Sequence, residues 1–310
     1  QAKAGARALG VSEENVIVAS TGIIGQTLPV EAIEDHAGEM EMKYDNSLAA
    51  AEAIMTTDTR VKTIAVEFDI DGTTCHIGGI CKGSGMIHPN MGTMLCFITT
   101  DCAVSSEMIR KALLFNVKRT FNRVTVDGDT STNDMCAVLA NGMAGNAEIT
   151  AEGPAYEAFR EALQAVMQDL ARKIAADGEG ASKLMTCTVK GAKDEETAEV
   201  LAKSIAGSSL TKAAMFGSDA NWGRVLCAMG YSGAEFNTEK VLVEFASKEG
   251  SIAVCEDGRG LDFDEDLAKK ILSQDEVEIN VTLQEGSGSA TCWGCDLTYD
   301  YVKINGDYRT

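Results

Sequence analysis

The sequence predicts an α/β fold in which mixed sheets are layered with helices. Strand-like runs come in pairs, 62–69 with 74–80 and 241–246 with 251–255, and helical runs fall between the pairs. A regular parallel βαβ sheet would instead place one helix after each strand. The composition agrees: 45% of the 310 residues are hydrophobic and 24% charged, the mix of a globular chain. The chain has 3 prolines and no low-complexity tract, which argues against disorder or a fibrous role.

Taken in order, the opening stretch to Leu9 reads as the end of an alanine-rich helix, and Val16-Ile17-Val18-Ala19 as a short buried strand. The loop Ser20-Thr21-Gly22-Ile23-Ile24-Gly25 follows, and a helix is expected from near Pro29, since proline suits a first helical turn. Residues 46–55 read as a helix, followed by Thr56-Thr57-Asp58-Thr59, too hydroxyl-rich to be core. After the first strand pair come a glycine-rich turn from Gly83 to Gly85 and a strand from Met94 to Thr100. Residues 104–118 read as a helix, 127–134 as a polar loop, 154–176 as a long amphipathic helix and 177–183 as a turn-rich segment. A strand at 184–190, a helix at 194–206 and the segment 219–224 lead to the last region. There, 241–246, 251–255, 276–284 and 290–304 alternate like strands, with a helix at 264–272.

Charge excludes two classes of partner. Against 27 Lys+Arg stand 47 Asp+Glu, a formal charge of −20. Binding to a phosphate backbone needs a clustered basic face, and an anionic membrane repels an acidic one. No run of 18 apolar residues and no signal peptide is visible, so a cytoplasmic protein is expected. The 10 cysteines mostly sit in apolar runs and read as reduced, buried small hydrophobes. Cys292 and Cys295 form the one CxxC, but a zinc site needs two more ligands and the only histidines are His36, His76 and His88. Neither a dinucleotide or phosphate-binding glycine loop, nor HExxH, nor a GxSxG elbow is present.

One nucleophile needs no histidine. A threonine at a chain start can use its own α-amine as base, provided an internal peptide bond is cut to expose it. Residues 82–95, KGSGMIHPNMGTML, have the layout for this: glycines and a proline constrain the loop, Gly92 puts no side chain beside the scissile carbonyl, and Thr93 begins a strand. The same layout fits a plain loop between two strands with Thr93 a satisfied surface threonine.

That segment closely resembles the self-cleavage segment of the ornithine acetyltransferase family, the bifunctional glutamate N-acetyltransferases of arginine biosynthesis. STGIIGQTLP (20–29), MTTDT (55–59), DGDTSTND (127–134), DGEGASK (177–183), DANWGR (219–224), WGCDLT (293–298) and YVKINGDYRT (301–310) resemble further family signatures, in family order. The resemblance spans essentially the whole chain. It departs at Gly92, where the family commonly has alanine. Family members also carry a segment upstream of the point where Gln1 falls, so the resemblance implies one here, contributing strands to the first domain.

By resemblance, the fold is of the self-cleaving N-terminal-nucleophile type, with a larger domain at 1–190 and a smaller one at 191–310 whose C-terminal tail reaches the active site. The bond Gly92–Thr93 is the implied cleavage site, Thr93 the nucleophile with its α-amine as base, and Thr21 and Gly22 the oxyanion hole. Read without the resemblance, Ser20-Thr21-Gly22 also fits a helix N-cap. The implied substrate contacts are Thr59, Lys82, Thr93, Glu179, Asn305 and Thr310, with Thr57 the alternative to Thr59. Asn133, Asp134, Asn221 and Arg224 support the site or the fold.

The implied reaction is ping-pong transfer of acetyl from N2-acetyl-L-ornithine to L-glutamate, without metal or prosthetic group. Some members also use acetyl-CoA as donor, and the sequence leaves that open. The two cleavage fragments are expected to stay associated, as a heterotetramer. The rival readings are an aminopeptidase or amidase of the same nucleophile type, and an inactive truncated member.

Overall fold

In the computed structural model, which describes residues 1–88 and 94–307, the chain opens with helices α1 (Ala2–Leu9), α2 (Val30–His36) and α3 (Ser47–Ala53). Strands β1 (Lys62–Ile70) and β2 (Thr73–Lys82) form an antiparallel hairpin, and β3 (Leu95–Thr100) adds antiparallel to β2. Helix α4 (Ser106–Arg119) and the two-residue β4 (Val124–Thr125) precede β5 (Met135–Ala140), which pairs parallel with β3. The long helix α5 (Pro154–Ala176) leads to β6 (Leu184–Ala192), then to helices α6 (Glu195–Gly207), α7 (Ser209–Phe216) and α8 (Trp222–Gly230). Strands β7 (Leu242–Ser247), β8 (Gly250–Glu256) and β9 (Arg259–Gly260), helix α9 (Glu265–Leu272), strands β10 (Glu276–Thr282) and β11 (Gly288–Cys295), and helix α10 (Tyr299–Asp307) complete the chain.

Two sheets result. One has four strands in the order β1-β2-β3-β5; the other has seven, β4-β11-β6-β10-β7-β8-β9. Both mix parallel and antiparallel pairs, as at β3/β5 against β1/β2 and at β6/β10 against β6/β11. The expected layering of mixed sheets with helices is what the fold shows.

Helix α5 joins the layers. Its N-terminus is set by Gly153 and by Pro154, whose missing N–H is harmless in a first turn. Phe159, Leu163, Val166, Leu170 and Ile174 recur at helical spacing and are buried. They press so closely on the first sheet that a Cβ at Gly79 of β2 would lie 3.1 Å from Leu170 Cδ1. The same helix touches β4, β6 and β11 of the second sheet. Removing Phe159 to alanine would cost about 3–5 kcal/mol, the usual range for a buried aromatic. A second core lies between the seven-stranded sheet and α6–α9, around Met185, Val189, Leu201, Val243, Phe245 and Ile279.

Several expectations need correction. Residues 16–19 are not a buried strand: Ile17 is 58% and Val18 42% exposed, and no described strand offers them a ladder. The strand expected at 290–304 ends at Cys295. There the Asp296 carboxylate accepts the N–H of Ser182 (2.8 Å) and of Lys183 (3.0 Å), which turns the chain out of the sheet. Thr298 Oγ1 then accepts the Tyr301 N–H at 3.3 Å and opens α10, so the tail is a helix. Strand β5 and helix α7 were not foreseen. Eight of the ten free cysteines are buried, while Cys136 is half-buried and Cys227 exposed.

Candidate active site

Strand β2 ends at Lys82, and the chain from there to β3 carries residues 83–94. Beside this connection lies a cavity of about 280 Å³. Among the described residues its walls come from six parts of the chain: Thr21 to Ile24, Thr56 and Thr57, Lys82 with Gly85 and Met86, the loop from Asp127 to Asn133, Glu179, and Tyr301 with Asn305. Apolar Ile23, Ile24 and Met86 face hydroxyls, three carboxylates and one ammonium, a lining suited to a small polar molecule with an aliphatic stem.

Lys82 is 4% exposed and stands at the edge of a buried charge network. Lys62 Nζ bonds Asp58 Oδ1 at 2.7 Å and Asp177 Oδ2 at 2.5 Å, and Lys82 Nζ lies 3.7 Å from Asp58 Oδ2. Asp58 also accepts the Gly83 N–H at 2.7 Å, which fixes the turn after Lys82. Burial pushes the Asp58 carboxyl up, but the Lys62 charge, the Gly83 N–H and Lys82 together outweigh it, and the net direction is down. Burial lowers the Lys82 ammonium, against the pull of Asp58 and, more weakly, Glu179. The network has two ammonium groups against two carboxylates, and Lys82 holds the weakest ion pair in it. Lys82 is therefore the cation with capacity left for a carboxylate in the cavity.

Glu179 follows α5 by three residues. Its N–H donates to Ser84 O at 3.0 Å, and Oε2 accepts from Asn305 Nδ2 at 2.9 Å. Its carboxylate lies against Gly85, where a Cβ would come within 2.2–2.3 Å of it, so this contact requires a glycine. Tyr301 completes that wall; burial, then the charges of Asp127, Asp129 and Glu179, drive its hydroxyl well above the usual phenol range.

The loop 127–134 holds the connection from both sides. Asp127 Oδ2 accepts the Met86 N–H (2.7 Å), Asp127 Oδ1 the Ile87 N–H (3.0 Å), and Thr130 Oγ1 donates to His88 O (2.8 Å). At the far end Asp134 Oδ1 accepts the Met94 N–H at 2.6 Å. Burial pushes the Asp134 carboxyl up to about 7, against the Met94 N–H and the Lys82 charge.

Of the residues expected at the site, Thr21, Gly22, Lys82, Glu179 and Asn305 line this one cavity. Thr59 does not: its hydroxyl is held by Asp177, and Thr57 lines the wall instead. Gly92, Thr93 and Thr310 lie outside the described residues. Asn133 lines the cavity. Asn221 caps α8 by accepting the Arg224 N–H, and Arg224 bonds Leu210 O, which accounts for both within the fold. Asp127, Asp129 and Tyr301 were missed as wall residues. For Asp127 and Asp129 the signal was present in the loop 127–134, which is acidic and hydroxyl-rich without linker character. Among the described residues no group of three or more His, Cys, Asp or Glu side chains is placed to hold a metal, and Cys292 and Cys295 are buried in β11.

The chain is similar along its length to known proteins. The profile of the ArgJ family matches residues 1–310. The arginine biosynthesis bifunctional protein ArgJ 1 of Clostridium acetobutylicum is 50% identical over 308 residues, 98% of this chain and 75% of its own length. The ArgJ of Thermotoga neapolitana is 49% identical over 306 residues, 98% of this chain and 77% of its own. A crystal structure of the arginine biosynthesis bifunctional protein argJ from Bacillus halodurans is 46% identical and superposes with a TM-score of 0.65, covering 68% of this chain and 98% of that one.

Proposed function

Because this chain belongs to the ArgJ family, we propose that it is the self-processing acetyltransferase of arginine biosynthesis, moving acetyl from N2-acetyl-L-ornithine to L-glutamate. The observation that carries the reading is the convergence of Thr21, Gly22, Lys82, Glu179 and Asn305, distant in sequence, on one cavity beside the connection containing Gly92 and Thr93.

In the proposed reaction the Thr93 hydroxyl attacks the Gly92 carbonyl and the peptide becomes an ester. Water then hydrolyses the ester and leaves Thr93 with a free α-amine. That amine takes the proton of its own hydroxyl as the oxygen attacks the acetyl carbonyl of acetylornithine. The Thr21 hydroxyl and Gly22 N–H would hold the oxyanion, one such donor being worth roughly 3–4 kcal/mol in the transition state. Ornithine leaves and the acetyl group stays on Thr93 as an ester until the glutamate amine takes it. Both amino acids present the same α-carboxylate, which suits Lys82, and a cationic or amide group, which suits Glu179.

The same proposal includes association of the two fragments as a heterotetramer, a cytoplasmic location in keeping with ten unpaired thiols, and a division near residue 190, for which the two separate cores are the support. Acetyl-CoA as an alternative donor is a separate assay with the same enzyme. Intact-mass analysis is the test. The 310-residue chain should give fragments of 92 and 218 residues, while Thr93→Ala should remain whole and release no ornithine from acetylornithine when glutamate is added. A Thr93→Ala chain still cut at this bond would overturn the reading.

A further inference from the structure

We propose that Asp127 and Asp134 are paired positioning residues that hold the self-cleaving connection from its two ends, with Asp134 setting the backbone beside the nucleophile. The inference rests on the reading of Thr93 as nucleophile and goes beyond it.

Met94 is the residue after Thr93, and it is held through both of its backbone groups. Asp134 Oδ1 takes its N–H at 2.6 Å, and the Met135 N–H donates to its carbonyl at 2.9 Å. Upstream, Met86 and Ile87 both donate to the Asp127 carboxylate, and Ile87 O accepts the Val126 N–H at 2.7 Å. Met86 has φ of 54°, a left-handed conformation that a non-glycine residue keeps only when its surroundings impose it. The two anchors lie at opposite ends of one eight-residue loop. That loop therefore fixes the separation between the ends of the connection, and a nucleophile misplaced by about 1 Å loses on the order of a hundredfold in rate.

A carboxylate suits the anchor beside Thr93 because an ionised acceptor makes a shorter and stronger bond to an N–H than a neutral one. Asp134 is poised between the two forms. Among the described residues its Oδ2 is buried without a hydrogen-bond partner, next to Val117, Phe121 and Asn122, which carry no charge. Cys136 lies on the β5 side, and Lys82 is the ammonium whose field reaches it from β2. Burial holds its proton up to about pH 7. The grip on Met94 then tightens as the pH rises through that value.

Freshly translated full-length chains, followed by intact mass between about pH 5.5 and 8.5, test this. Wild-type self-cleavage should accelerate through an inflection near pH 7. Asp134→Asn keeps an acceptor but no charge. It should cut about ten- to a hundredfold more slowly, without that inflection. Asp134→Ala should be slower still, and Asp127→Asn slow with the inflection retained. Far-UV circular dichroism reports whether each variant folds. Asp134→Asn cutting within about twofold of wild type with the same pH profile, while Thr93→Ala stays whole, overturns the inference and leaves the function standing. A wild-type profile flat across pH 7 overturns it even if every Asp134 variant misfolds. A Thr93→Ala chain that is cut removes the underlying reading and this inference together.

Discussion

Asn305 Nδ2 donates to Glu179 Oε2 at 2.9 Å, so the last helix of the chain is tied to the carboxylate that follows α5. The tie crosses 126 positions of sequence and brings the C-terminal region to the cavity wall.

Removing the amide frees that carboxylate to rotate. Asn305→Ala should raise KM for the acetylated amino acid about tenfold, the worth of one hydrogen bond to a charged group, with kcat changed by less than about threefold. Steady-state kinetics at varied acetylornithine checks it. An unchanged KM would separate Asn305 from substrate binding.

Gly85→Ala attacks the same carboxylate from the other side. The new Cβ meets the far end of a flexible side chain, so the fold should survive with Tm lowered by no more than a few degrees. Glu179 must leave its place, and ornithine release should fall at least as far as in Glu179→Gln. Melting curves and activity measured on one preparation check both parts.

Lys62→Met leaves Asp58 and Asp177 buried without their main cation. Breaking a buried pair by removing one partner costs about 3–5 kcal/mol. Urea denaturation at neutral pH should show that loss as a lower midpoint with an unchanged slope.

Asp134 also affects stability. Its carboxyl titrates at about 7 in the fold, against an ordinary 3.8. Between those values the folded chain keeps a proton that the unfolded chain has released, so this group's contribution to stability falls as pH rises through the window and levels off above it. Asp134→Asn should therefore gain stability relative to wild type between pH 5 and pH 8. Urea midpoints of both chains at the two values check it, and a constant difference would refute the raised titration.

Helix α5 was readable to the residue from Gly153-Pro154, the apolar spacing and the turn at Asp177-Gly178, because local signals and tertiary packing agree there. Residues 16–19 misled because four apolar residues imply a strand only if a neighbour supplies the ladder, and neighbours are not written locally. Residues 299–304 are rich in tyrosine, valine and isoleucine, as strands are, but a hydroxyl cap and the turn at Asp296 decide for a helix. At the site, Lys82 and Glu179 were legible from their motifs. Thr59 was not distinguishable from Thr57, since nothing in MTTDT reveals that Asp177 takes the former. The anchoring by Asp127 and Asp134 joins residues about forty positions apart through backbone N–H groups, which leave no mark in side-chain identity.

Because α5 rests on both sheets and runs directly into Asp177 and Glu179, the chamber has no independent existence. On the proposed reading, a nascent chain with either layer unformed lacks the wall against which scission would occur. If the chain cuts itself as proposed, maturation is restricted to molecules that have already folded, and the break itself becomes a record of correct assembly.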